Sequence, residues 1–139
     1  MGTSTALVSF AFDYYLMVVI AAAGTLQIAA AVADIRGLLL FRNTVVGYSF
    51  GISLVLFGYL LFFATAERNV NDTLGGLDGN VQFVLFLMGA ITATLLTFVV
   101  SSVLNRRMYE LSDTTDGLET LRRTTYLKAV LIRLRSIRS

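Results

Sequence analysis

The chain contains no histidine, no cysteine, no tryptophan and no proline. Without His or Cys, zinc sites, imidazole-ligated haem, iron–sulfur clusters and thiol or imidazole catalysis lose their usual ligands and nucleophiles. Disulfides are excluded in any compartment. Without Pro no helix has to kink at a missing amide, and the broken helices that build many transporter sites are not signalled. Charge is scarce too, at 14% of 139 residues, where a soluble domain carries about a quarter.

What fills the gap is apolar. Hydrophobic residues make up 56% of the chain, and mean hydropathy is +0.75. Three stretches carry no charge: Tyr14 to Ala33, Thr44 to Ala66, and Asn80 to Asn105. A helix rises about 1.5 Å per residue, so ~20 residues cross the ~30 Å hydrocarbon layer once. The expected fold class is therefore an all-α integral membrane protein with three transmembrane helices, spanning about 14–33, 44–66 and 80–105. Residues 1–105 form the membrane region and 106–139 a basic tail. The apolar run Ala6 to Phe12 is expected to rest at the interface, with Asp13, Tyr14 and Tyr15 marking the headgroup level. No basic residue precedes the first run, so it is read as a retained span rather than a secretory signal.

Orientation follows from Lys and Arg, which are retained on the cytoplasmic side. The first loop, Asp34 to Asn43, holds Arg36 and Arg42, and its four apolar residues Leu38 to Phe41 are too few to cross. Residues 106–139 hold eight of the eleven basic residues. The second loop, Glu67 to Gly79, has three acids and one Arg. These place the N-terminus outside and the C-terminus on the cytoplasmic side, or in the interior of an organelle or virion.

Lipid tails are as apolar as leucine, so membrane helices associate where small residues let backbones approach. Such stripes recur at four-residue spacing: Ala21, Thr25, Ala29 and Ala33 on the first span; Gly47 and Gly51, with Ser49 and Ser53 beside them, on the second; Gly89, Ala93, Thr97 and Ser101 on the third. Bulky residues, Leu54 among them, are expected to face outward. Small residues are common in membrane helices and one such stripe arises easily by chance; three together favour a packed bundle, within one chain or between chains. Gln27, near the middle of the first span, needs partners for its amide. It is read as an interhelical hydrogen-bonding residue in preference to a ligand contact. No span carries an ionisable residue at its centre, which argues against a pump or coupled transporter.

The tail reads as an amphipathic helix over about 117–138. Asp116 can cap it and Glu119 stands where a capping box needs it. Leu127, Val130, Leu131, Leu134 and Ile137 share one face at helical spacing. Lys128 and Arg135 flank that face on one side, Arg122 and Arg133 on the other. Anchoring to anionic headgroups is the first expectation and docking on a partner protein the second. Nucleic acid ranks last, for want of aromatic interleaving or a recognised binding fold. Two weaker patterns are set aside: Asn71-Asp72-Thr73 fits a glycosylation triplet that is short and common, and Asp72, Asp78 and Asn80 lack the spacing of a calcium loop.

Function is reached mainly by elimination. The leading expectation is a non-enzymatic structural or accessory subunit of a larger membrane assembly, such as a respiratory complex, a secretion device or a virion envelope. Its partners would be lipid and other membrane subunits or further copies of itself, with no cofactor and no metal. The alternative is an oligomeric pore or carrier lined by Ser, Thr and Gln, with Thr92, Thr94 and Thr97 as lining candidates.

Overall fold

A computed structural model describes residues 2–64 and 78–105, together with Val130 and Leu134. Three helices make up the described part: α1 (Gly2–Val32), α2 (Thr44–Ala64) and α3 (Gly79–Leu104). Each is long and apolar enough to cross a membrane, over Phe10–Val32, Thr44–Ala64 and Gly79–Leu104. The second and third match the uncharged runs to within two residues. The first does not stop at Tyr14: α1 is one continuous helix of 31 residues, about 46 Å long and well beyond a ~30 Å hydrocarbon layer. Nothing in Gly2 to Asp13 breaks a helix, since the stretch holds no proline and its only glycine is the first residue.

The helix ends are set by local chemistry. At the C-terminus of α1 the Ile35 amide donates to the Ala30 carbonyl (2.9 Å) and the Asp34 amide to the Ala31 carbonyl (3.3 Å). Asp34 adopts the left-handed conformation, φ 51°. This is the Schellman arrangement, with aspartate where glycine is usual. Ile35 packs against Ala30, Ala31 and Leu39, supplying the hydrophobic contact that accompanies the motif. Asn43 Oδ1 accepts from the Val45 amide at the start of α2 (2.9 Å). Asp78 is the N-cap of α3, its carboxylate accepting from the Asn80 amide (3.0 Å).

α1 is the central element. α2 and α3 both pack on it, and among the described residues they do not touch each other. α2 runs antiparallel to α1: Gly51 lies against Gly24 and Ile28, while Gly58, further along α2, lies against Met17 and Ala21. α3 runs parallel to α1. Its Gly89 faces Val18, and its C-cap residue Asn105 reaches Leu39, just beyond the end of α1. The chain therefore goes up, down and up, and the first loop and the exit of α3 share one end of the molecule.

At the α1–α2 crossing the backbones approach closely. A Cβ on Gly24 would stand 2.6 Å from the Gly51 carbonyl oxygen, and one on Gly51 would stand 2.7 Å from that of Gly24. Only glycine fits both positions. Toward the N-terminal end of α1 the rings of Phe10 and Tyr14 meet Phe62 edge to face, at centroid distances of 5.7 and 6.2 Å.

Candidate functional site

Four of the buried polar side chains, Gln27, Ser101, Ser102 and Asn105, gather where the first loop meets the helices. Gln27 is fully buried on α1, five residues before the helix ends. Its Nε2 donates to the Leu38 carbonyl (3.1 Å), and its Oε1 accepts from the Leu40 amide (3.0 Å). One side chain thus closes a two-point clasp on the loop backbone. The expected interhelical partner is replaced by the loop, because the chain does not simply turn after Val32. It folds back against the last turn of α1, where Leu38 and Leu39 pack on Ala30 and Ala31.

A second clasp comes from α3. Asn105 Nδ2 donates to the carbonyl of Leu39, the residue between the two that Gln27 holds, at 2.7 Å. Leu39 is 1% exposed, and its Cδ2 lies 2.8 Å from where a Cβ on Gly47 would stand. Leu39 accordingly touches α2 with its side chain and α3 with its backbone, between neighbours tied to α1. Ser101 and Ser102 are buried on the same turns of α3, Ser101 Oγ donating to the Phe98 carbonyl (3.3 Å). Irregular backbone at membrane depth is tolerated only where protein satisfies it. Gln27 and Asn105 supply that satisfaction across three consecutive residues.

The chain matches no protein-family model, no curated protein and no solved structure.

The expected small-residue stripes fare differently. On α3, Gly89, Ala93, Thr97 and Ser101 are all buried, as are Gly47 and Gly51 on α2. On α1 the face covered within the chain is another one. Thr25, Ala29 and Ala33 are exposed, and Thr25 Oγ1 donates back to the Ala21 carbonyl of its own helix (2.9 Å). Ala21 does meet α2, at Gly58. Among the described residues the buried positions of α1 are Val18, Gly24, Gln27, Ala30 and Ala31; two partners on different sides of one helix cannot both be served by a single straight stripe. Leu54, expected outward, lies at the crossing instead: its Cβ is 3.0 Å from the position of a Cβ on Gly24. Ser49 and Ser53 are exposed, Ser53 bonding back to Ser49.

Residues missed by sequence reasoning include Gly24 and Gly58, isolated glycines outside any four-residue repeat, and Asn105. Asn105 carried a signal, as an amide at the end of a long apolar run, but its partner depends on where the loop folds. Tyr15, expected at the headgroups, instead donates from its hydroxyl to Thr92 Oγ1 (2.9 Å), about halfway along α3.

Of the tail residues expected at the membrane surface, Leu134 is described and is exposed. Arg122, Leu127, Lys128, Leu131, Arg133 and Arg135 lie outside the described residues, as do Asn71 and most of the second loop. Among the described residues every buried side-chain nitrogen and oxygen has a hydrogen-bond partner, and no group of three Asp, Glu, His or Cys is placed to hold a metal. Chemically the arrangement holds backbone in place.

Proposed function

We propose that the chain is a non-enzymatic multi-pass membrane protein that serves as a structural or accessory subunit of a larger membrane assembly, its N-terminus outside and its basic tail on the inner leaflet. The observation that carries this reading is the open arrangement of the helices. α2 and α3 clasp α1 from two sides without meeting, and α1 keeps Thr25, Ala29 and Ala33 uncovered. Small residues of this kind favour close approach by another helix, whereas lipid-facing surfaces have no need of them. The polar side chains support the same reading, since Gln27, Asn105 and Tyr15 are occupied in holding the chain together.

The pore reading draws less support. At 100° per residue Thr92, Thr94 and Thr97 do not share one face; Thr92 is engaged by Tyr15, Thr94 bonds to its own helix, and Thr97 is buried against the bundle. Purification in mild detergent tests the proposal. The chain is expected to carry other membrane subunits with it in fixed stoichiometry, and a lone monomer from native membranes contradicts it.

A further inference from the structure

We infer that the folded-back first loop is a headgroup site, in which Arg36 and Arg42 hold the phosphate of an anionic phospholipid at the membrane surface. The inference rests on the membrane-spanning reading and adds to it a site separate from the tail. The loop enters and leaves the protein interior within a few residues: Leu39 is buried, Gln27 and Asn105 hold the backbone of Leu38, Leu39 and Leu40, and the arginines stand on either side of this segment. Arg36 lies four residues beyond the Phe10–Val32 span and Arg42 two residues before the span that starts at Thr44, so both flank the ends of apolar spans. Both are exposed. A loop pinned by three hydrogen bonds and a buried leucine presents its arginines at little entropic cost, unlike a free basic segment.

The charges around the site are few. Asp34 Oδ1 accepts from Arg36 Nε at 3.3 Å, both side chains more than half exposed, and this engages one of the five guanidinium donors. Those remaining suit a phosphate, which guanidinium binds in bidentate fashion. Arg36 and Arg42 outweigh Asp34 and leave the loop a net positive charge. An anionic leaflet attracts such a group at about fivefold in partitioning per arginine.

The full chain in nanodiscs of equal phosphatidylglycerol and phosphatidylcholine tests the inference, with retained lipid read by native mass spectrometry. The wild type is expected to retain phosphatidylglycerol preferentially. Arg36→Gln with Arg42→Gln lowers that preference by roughly twenty-five-fold, the paired Lys substitutions keep most of it, and Asp34→Asn raises it by up to about fivefold. Asparagine tolerates the left-handed backbone of residue 34, so this last variant probes charge with the turn intact. Excess inorganic phosphate is expected to leave the retained lipid in place. Four results overturn the inference: an unchanged preference in the double Gln variant, an equal loss in the Lys pair, equal retention of the two lipids by the wild type, and displacement by inorganic phosphate. Failure of the chain to enter nanodiscs at all would overturn the membrane-spanning reading as well.

Discussion

A glutamine within the last two turns of an apolar helix brings two donor hydrogens and a carbonyl oxygen into surroundings that offer them little. Gln27 resolves this by meeting an equal need, the backbone of the loop that folds back against α1. Each side of the clasp would be costly without the other. Gln27→Leu keeps the volume and removes both bonds, leaving the Leu38 carbonyl and Leu40 amide unpaired. We expect a loss of about 1–3 kcal/mol, read by titrating the folded protein with a denaturing detergent and following helicity. Asn105→Leu is expected to cost less, about 1 kcal/mol, because one bond is lost. The two effects should not add, since both act through the same three loop residues. Unchanged stability in Gln27→Leu would mean that the loop does not depend on the clasp. That Gln27 is structural can be read in the sequence; its partner cannot, because the partner is backbone brought there by a reversal of the chain.

At the scale of the helices, membrane segments reveal their length far better than their faces. The boundaries of α2 and α3 were legible because charge stops at the water and nothing else limits an apolar run. Faces are harder to read, because the lipid and the protein interior are equally apolar and hydrophobic periodicity carries no inward direction. Only close backbone approach leaves a mark, as small residues. It shows in full on α3, where Gly89, Ala93, Thr97 and Ser101 meet one neighbour. It misleads on α1, which has two neighbours. The Gly24–Gly51 crossing is the sharpest test of this packing. Gly51→Ala sets a methyl against the Gly24 carbonyl oxygen and against Ile28, both within 2.7 Å of the new Cβ. Neither backbone can yield without parting the helices, and an overpacking cost of about 1–3 kcal/mol follows. Leu56→Ala on the exposed face of α2 should stay within about 0.5 kcal/mol. Equal effects of the two, in the same detergent titration, would remove the crossing from the account.

The described part of the molecule is one helix flanked by two, and the loop contacts that tie it together lie at one end. The first loop and the exit of α3 are bonded together there, through Asn105 and Leu39, while the start of α3 at Asp78 lies at the other end with the beginning of α1. Three alternating helices put the first loop and the exit of α3 at one end, and the arginines of these segments are what assigns that end to the cytoplasmic side in our proposal. Absence of cysteine makes this directly measurable, because any introduced thiol is the only one in the chain. Arg42→Cys and Gly79→Cys both put the thiol on an exposed residue, and a Cβ at Gly79 meets nothing within 4 Å. In sealed right-side-out vesicles treated with a membrane-impermeant maleimide, the account predicts labelling at position 79 and protection at position 42 until the membrane is opened. Labelling of both positions from the same side would contradict it.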